Sequence, residues 1–339
     1  MSYLKIVFFG SFQAFSPVVL EQLLLDKNLQ VCAVVTTPPH PDKRGKDAQP
    51  NPTHILALKK NIPLVMPAVL DNKAAAELNA FCPQPDYFVT AGYGKLLPPA
   101  WLSIPKLGAL NVHFSLLPKY RGANPAEWAL LMDESETGVS IIQMSSKFDT
   151  GELIAQSLEP ITPTDTRQSL YEKLYLLGGL MAPAAIAAHA TWKESGKTGA
   201  SETQLRAHPA NIKLFLPPQT QSSTATPYAR RLQKKDGFIA WSNLEKVRLG
   251  ETLDWSVLSP TLQALSQFQP FVTSNFIVTA TRALGGFPDI WTIIPTTKGD
   301  KRMKILSAAT EGTSLQLQKV QIEGKSPAEW NQVKNILLK

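Results

Sequence analysis

Three residues suited to acyl transfer are the amide Asn111, the imidazole His113 and the carboxylate Asp149, which follows the histidine after 36 residues. Apolar residues at 108–110 lead into Asn111, and the extended segment breaks at Pro118. Period-two alternation along a strand places Asn111 and His113 on one face at the strand's end. An amide donor beside an imidazole, with a carboxylate to orient the ring, can stabilise negative charge on an acyl oxygen. The pattern predicts acyl transfer to an amine that the substrate supplies, without a protein nucleophile.

A structural role for the histidine is the first alternative. A lone histidine near the end of a strand is more often a structural residue, with its ring nitrogens hydrogen-bonded inside the protein, than a catalytic one. The segment 115–122 counts against that alternative. Proline and glycine interrupt it, and it carries Lys119 and Arg121. Such a loop suits contact with an anion or another ligand better than it suits core packing.

A set of short motifs extends over nearly the whole chain. They are Asn-x-His at 111–113, Ser-Leu-Leu-Pro at 115–118, Tyr-Arg-Gly at 120–122, Glu-Thr-Gly-Val at 136–139 and Asp-Thr-Gly at 149–151, with further matches at 44–46, 52–53, 165–166, 228–229 and 239–241. With these motifs the sequence resembles the folate-dependent formyltransferases. The resemblance implies catalytic roles for Asn111, His113 and Asp149, which match the family's catalytic residues.

The same resemblance implies the substrates. The family's Ser-Leu-Leu-Pro loop contacts folate, which predicts folate contacts from Ser115, Leu116, Leu117 and Pro118. The implied formyl donor is 10-formyltetrahydrofolate, used as a co-substrate. The implied acceptor is the free amine of methionine esterified to initiator tRNA, which would place the protein in translation initiation. No metal is expected, because protein donors already stabilise the oxyanion.

The chain departs from the family in the walls of this site. Phe114 stands where family members often have glycine, the loop 9–15 is one residue longer, and Ala-Gly-Tyr-Gly at 91–94 replaces a more common Ala-Tyr-Gly. The turn at 91–94 follows a predicted strand, 86–90, at the edge where open α/β sheets bind ligands. Backbone groups of Gly92 and Tyr93 are therefore predicted to bond the flat pterin ring, with a simple tight turn as the alternative.

The elements that position these residues predict an α/β fold with a doubly wound, mostly parallel sheet. A strand at 5–9, a helix with Ser16 as its cap and Pro17 at its first helical position, and a strand at 30–36 begin such a sheet. The first loop has no GxGxxG, so no dinucleotide is implied. Further predicted helices are 53–61 with Thr53 as its cap, 72–81, 125–132 and a long one from 168, and further predicted strands are 64–66, 108–113, 137–144 and 153–157.

The last third has a different character. The segment 196–227, rich in Gly, Ser, Thr, Gln and Pro, predicts a linker between a catalytic domain at 1–195 and a second domain at 228–339. In the second domain we predict helices at 228–235 and 251–268 and strands at 275–281, 291–295, 303–307 and 314–322. Short strands after a helix suit a small OB-like β-barrel, which the family also has.

Charge points to a polyanionic partner. From residue 228 onward there are 15 Lys/Arg against 9 Asp/Glu, so this domain holds nearly all of the net charge of +7. The proline-rich loop 37–52 adds Lys43, Arg44 and Lys46, which are predicted to contact tRNA phosphates because the family's similar loop reaches the acceptor stem. A solvated loop with incidental charge is the alternative.

Composition limits the remaining classes. A length of 339 residues allows two domains, and no transmembrane span or signal peptide is recognised, so we expect a cytoplasmic protein without a membrane partner, and a monomer. Cys32 and Cys82 lack a CxxC or a histidine at ligand spacing, which predicts buried free thiols and no metal site.

Other acceptors stay open on the sequence. An amino-sugar nucleotide or a purine-pathway ribonucleotide could take the formyl group, because those enzymes share the Asn, His and Asp. The purine-pathway enzyme resembles only the first domain, and the basic second domain counts modestly against the sugar. A hydrolase releasing formate from the same folate, or an RNA-binding module with a degenerate site, are further alternatives, and the intact triad counts against the last.

Overall fold

The computed structural model describes residues 3–39, 48–195, 203–205, 211–222, 228–296 and 299–337. The chain forms two compact units, each built from several segments. The first unit comprises Met1–Ala123, Thr137–Pro160 and Tyr171–Tyr228, and the second comprises Asn124–Glu136, Ile161–Leu170 and Ala229–Lys339.

A nine-stranded sheet organises the first unit. Its strands are β1 Leu4–Phe9, β2 Leu29–Val35, β3 Leu64–Val65, β4 Tyr87–Thr90, β5 Gly108–His113, β6 Glu136–Gln143, β7 Leu153–Pro160, β8 Thr203–Leu205 and β9 Ile212–Gln219, in the order β3-β2-β1-β4-β5-β6-β7-β9-β8. The run from β3 to β5 is parallel, whereas β6 pairs antiparallel with β5. The prediction of a doubly wound, mostly parallel sheet is confirmed.

The helices α1 to α6 are, in order, Ser16–Leu25, Pro52–Lys59, Asn72–Phe81, Pro99–Leu102, Pro125–Leu131 and Arg167–Glu194. Two predicted caps are wrong. Asn51, not Thr53, caps α2, since the Asn51 side chain accepts from the backbone N–H of His54. Ser16 is already helical, and its hydroxyl donates to the Ala91 carbonyl at 2.7 Å. Its side chain therefore connects the first loop to the turn after β4.

Buried strands surround the edge where β4 and β5 end. Val7 and Phe9 of β1 are fully buried and pack in one cluster with Phe88 and Trp101. The parallel register sets Thr90, the last residue of β4, opposite Asn111 on β5. The sheet order thus brings the predicted catalytic strand next to the strand that precedes the Gly92 turn.

The segment predicted as a linker, 196–227, differs from that prediction. Within it, β9 pairs antiparallel with β7, and β8 pairs with β9, so both strands extend the first sheet. The correction has a physical reason: Ile212 and Leu214 are buried in β9, although proline and glutamine follow them. Composition averaged over the segment hid this short alternating strand.

Free thiols were also predicted, and the structure corrects this. Cys32 on β2 and Cys82 at the end of α3 form a disulfide, with their Cα atoms 5.5 Å apart. The two residues lie 50 positions apart and in no recognisable motif. Only the packing of α3 beside β2 brings them within the range that a disulfide requires.

Helix α6 is long and apolar enough to cross a membrane by length and composition, although no such span was predicted from the sequence. Within the qualifying window, 61% of the residues are buried inside the protein. The core helix of a soluble protein passes the same test, so this feature is weak evidence for a membrane span.

A four-stranded antiparallel sheet, ordered β10-β11-β12-β13, lies in the second unit. Its strands are Ile290–Ile294, Lys301–Glu311, Ser314–Ile322 and Ala328–Glu329, and its helices α7 to α10 are Trp241–Arg248, Pro260–Gln263, Ser274–Leu284 and Trp330–Leu337. Short 3-10 turns occupy Lys234–Gly237, Trp255–Val257 and Ala264–Gln267. The prediction of a small β domain after the first sheet is confirmed, and its closure into an OB-like barrel stays a prediction.

Three predicted elements of the second unit are wrong. The segment 275–281, predicted as a strand, lies in helix α9, which the Thr273 hydroxyl caps. Predicted helix 228–235 contains no helical residue before the 3-10 turn that begins at Lys234, and predicted helix 251–268 is divided into two 3-10 turns and the four-residue helix α8. In α9 the β-branched residues favour a strand locally, but Phe276, Ile277 and Ala280 form one buried helical face. Tertiary packing outweighed local propensity there.

Candidate active site

The carboxylate of Asp149 meets both side chains predicted to act with it. Its Oδ1 accepts from Asn111 Nδ2 at 3.1 Å and lies 3.5 Å from His113 Nδ1. Its Oδ2 accepts from the backbone N–H of Gly122 at 3.0 Å. The structure therefore brings together Asn111, His113 and Asp149 at the end of β5, with His113 only 5% exposed.

The second nitrogen of His113 fixes the proton arrangement of the ring. Nε2 lies 3.1 Å from the Tyr120 carbonyl, which can only accept, so Nε2 carries a proton. In the neutral ring, Nδ1 is then a lone-pair acceptor beside the Asp149 carboxylate. In the protonated ring, Nδ1 donates toward that carboxylate.

Thr90 orients the amide of Asn111, a contact that sequence reasoning missed. The Thr90 hydroxyl donates to Asn111 Oδ1 at 2.7 Å, and Asn111 Nδ2 donates to Asp149. Because the Thr90 hydroxyl donates to the amide oxygen and the Asp149 carboxylate accepts from the amide nitrogen, the orientation of the Asn111 amide is fixed. Asn111 Nδ2 carries a second proton that the Asp149 contact does not use.

Polar side chains form hydrogen bonds with the backbone of the predicted folate loop, residues 115–118, and of Lys119 after it. Ser115 is fully buried, and its hydroxyl donates to the Lys119 carbonyl at 2.7 Å. The Leu117 N–H donates to Ser140 Oγ, and Gln156 Nε2 donates to the Leu117 carbonyl. Leu117 itself packs into a small apolar cluster, whereas Leu116 and Pro118 are half-buried.

The turn at Gly92 and Tyr93 is shaped by the first loop. Gly92 has φ +67°, a left-handed conformation that favours glycine. Ser11 donates its N–H to the Gly92 carbonyl at 3.2 Å and its hydroxyl to the Tyr93 carbonyl at 2.9 Å. Those carbonyls thus have protein partners. The Tyr93 ring packs edge-on against Phe9 in the core, where burial raises the pKa of its phenol to about 12.

Phe114, which precedes the predicted folate loop, is buried against other aromatic rings. Its ring is 6% exposed and stacks on Tyr175 of α6, with the ring centroids 3.7 Å apart. Tyr175 also contacts Phe12 and Phe15 of the lengthened first loop. Two of the three departures named in the sequence, Phe114 and the loop 9–15, are therefore parts of one aromatic cluster.

A second residue missed by sequence reasoning is Gln221, which follows β9. Its amide bonds both the turn that carries Asp149 and the guanidinium of Arg121. Arg121, predicted to contact an anion, is engaged here with a neutral amide. The role of Gln221 was not predicted from the sequence because this residue lies in a segment whose composition resembles that of a linker.

Three predicted tRNA-binding residues, Lys43, Arg44 and Lys46, lie outside the described residues. Within the described part of the chain, no group of three or more His, Cys, Asp or Glu side chains is arranged to hold a metal ion. The expectation of metal-free chemistry stays a prediction.

Comparison with known proteins supplies independent information. A family model described as formyl transferase matches residues 4–186. A methionyl-tRNA formyltransferase of Pseudomonas fluorescens (strain SBW25) is 36% identical over 263 residues, which cover 76% of this chain and 75% of that protein. One of Geotalea uraniireducens (strain Rf4) is 34% identical over 242 residues, covering 71% and 69%.

Among solved structures, a sugar N-formyltransferase from Shewanella sp. FDAARGOS_354 superposes with a TM-score of 0.52 at 14% identity, covering 91% of this chain and 99% of that one. At this identity the likeness shows the fold alone. It does not identify the acceptor of this chain.

Proposed function

The chain belongs to the methionyl-tRNA formyltransferase family, and on that premise we propose that it transfers a formyl group from 10-formyltetrahydrofolate to the amine of methionyl initiator tRNA. The observation that carries the proposal is the contact of Asp149 with both Asn111 and His113 at the end of β5. The protein would act in translation initiation, in the cytoplasm, as a monomer and without a metal.

The first chemical task is to stabilise the formyl oxygen. The amine of methionine attacks the formyl carbon, a carbon–nitrogen bond forms, and negative charge develops on the formyl oxygen. The second proton of Asn111 Nδ2 and the Nδ1 proton of a protonated His113 are the proposed donors to that oxygen, because Nε2 of the ring already donates to the Tyr120 carbonyl. Asp149 stabilises the imidazolium because its Oδ1 lies 3.5 Å from Nδ1.

The second task is to move one proton. The attacking amine must lose a proton, and the folate nitrogen must gain one when its bond to the formyl carbon breaks. Asp149 is the proposed carrier of that proton, directly or through a water. The products are the formylated amine and tetrahydrofolate, so atoms and charge balance without an added reactant.

Recognition of tRNA is proposed from charge. The second domain carries nearly all of the excess positive charge, and Lys43, Arg44 and Lys46 add to it. Cationic side chains bind phosphates regardless of sequence, and the resulting affinity falls with salt. Folate contacts are proposed for Ser115 through Pro118 and for the Gly92 and Tyr93 turn.

The decisive experiment offers the purified protein 10-formyltetrahydrofolate with initiator or elongator methionyl-tRNA, or with an amino-sugar nucleotide. Mass spectrometry follows the formylated product. We expect formylation of the initiator substrate. Transfer to the sugar alone would move the alternative acceptor to first place, and release of formate without any transfer would indicate the hydrolase.

The catalytic roles are tested by substitution. Asn111→Ala and Asp149→Ala should each lower turnover on the order of 100- to 1000-fold, the usual cost of losing one oxyanion donor or its support. Binding of tRNA, measured by filter retention, should stay near the wild-type value. Near-normal turnover in either variant would remove that residue from the mechanism.

A further inference from the structure

Gln221 makes four hydrogen bonds through one side-chain amide. Its Oε1 accepts from Arg121 Nε at 2.9 Å and from Nη2 at 2.7 Å. Its Nε2 donates to the carbonyls of Asp149 at 2.9 Å and Gly151 at 2.7 Å. Reversing the amide would point Oε1 at two carbonyls and Nε2 at a guanidinium, so its orientation is fixed by chemistry. The side chain is 8% exposed.

The turn that it holds is an unusual one. Asp149 has φ +51°, in the left-handed region that residues with a Cβ rarely adopt. Such a conformation persists only when surrounding structure enforces it. Gly151 contributes because a Cβ at that position would overlap the carbonyl oxygen of Gln143. Gln221 contributes by bonding the backbone on both sides of the turn.

We propose that Gln221 is a positioning residue for Asp149. By fixing the backbone of 149–151, it keeps the carboxylate directed at Asn111 and His113. Arg121 takes part because a cation on Oε1 polarises the amide and strengthens the donation from Nε2. The inference rests on the proposed function, since it assumes that Asp149 acts in formyl transfer.

The test replaces Gln221 by glutamate. Gln221→Glu keeps the shape and the acceptor for Arg121, but sets a carboxylate oxygen against the carbonyls of Asp149 and Gly151. Gln219→Glu is the matched control, because Gln219 is exposed on β9 and undergoes the same change of charge. We expect kcat to fall on the order of 10- to 100-fold in Gln221→Glu, as a small misplacement of a catalytic group does. KM for both substrates should match that of the control.

A second variant protects the test against loss of the fold. Gln221→Met removes both hydrogen bonds that Nε2 donates, and it adds no charge. If circular dichroism shows that Gln221→Glu is poorly folded, Gln221→Met takes its place in the test, and we expect the same fall in kcat. The double variant Asp149→Ala with Gln221→Glu should be no slower than Asp149→Ala alone, because both act through one carboxylate.

The outcomes separate the inference from the proposed function. If Asp149→Ala is inactive while Gln221→Glu and Gln221→Met turn over like the control, the positioning role is overturned. An additive loss in the double variant would also overturn it. If Asp149→Ala itself is fully active, the proposed catalytic role fails, whatever Gln221 does.

Discussion

Removal of the Thr90 hydroxyl tests how the amide of Asn111 is oriented. Thr90→Val preserves the branched shape of the side chain at a position that is 3% exposed, and replaces by a methyl group the hydroxyl that donates to Asn111 Oδ1 at 2.7 Å. A net hydrogen bond contributes about 1 kcal/mol. Because the contact of Asn111 Nδ2 with Asp149 remains, the amide loses one of its two restraints. About 1 kcal/mol corresponds to a fall in kcat of roughly fivefold.

The size of that effect separates positioning from catalysis. A fivefold loss is well below the roughly 100- to 1000-fold expected when a donor itself is removed. Turnover of methionyl-tRNA would be followed at saturating folate, with KM for each substrate measured in parallel. Thr90→Ser retains a hydroxyl and should recover kcat to within about twofold of wild type. Wild-type kcat in Thr90→Val, or failure of Thr90→Ser to recover it, would refute the reasoning.

Three further predictions follow from other parts of the molecule. Gly151→Ala should lower the free energy of unfolding by about 1–3 kcal/mol, because its Cβ meets backbone rather than a movable side chain; a urea titration would measure this, and an unchanged midpoint would contradict it. Burial first and Lys193 second lower the pKa of His189 to about 4, so the unfolded chain, with its ordinary pKa near 6.5, binds more protons between these values. Stability contributed by neutral His189 should therefore be complete above pH 6.5 and be lost as pH falls toward 4; melting curves should show a weaker pH dependence in His189→Gln, and parallel curves would refute the assignment. Arg44→Ala should raise KM for methionyl-tRNA several-fold with KM for folate unchanged, as expected when a phosphate contact is lost, and equal tRNA kinetics would return the loop to a solvent role.

Much of the site was visible in the sequence because it depends on local rules. Alternation along β5 places Asn111 and His113 on one face, and the structure finds both beside Asp149. The parallel sheet was predictable for the same reason, since strand and helix patterns alternate along the chain. These inferences need only the spacing of residue types within one element.

The contacts that the sequence missed depend on which elements become neighbours. Thr90 is an ordinary strand residue until β4 is known to pair with β5, and only the register sets it opposite Asn111. Gln221 is 72 residues beyond Asp149 and lies in a segment that resembles a linker. The disulfide between Cys32 and Cys82 was hidden for the same reason. Long-range pairings of this kind leave no mark on local composition.

The alternation of segments between the two compact units has a consequence for how the protein is made. Asn124–Glu136 and Ile161–Leu170 belong to the second unit, although most of that unit begins at Ala229. Within it, Glu127 of the early segment forms a buried ion pair with Arg167 of the middle one, at 2.8 Å. A fragment starting at residue 228 would lack both partners. During synthesis on the ribosome the second unit cannot be completed until residues 229–339 have emerged, long after its early segments. Its folding is therefore a late event, and domain-swapping experiments that cut at the apparent linker would exchange an incomplete module.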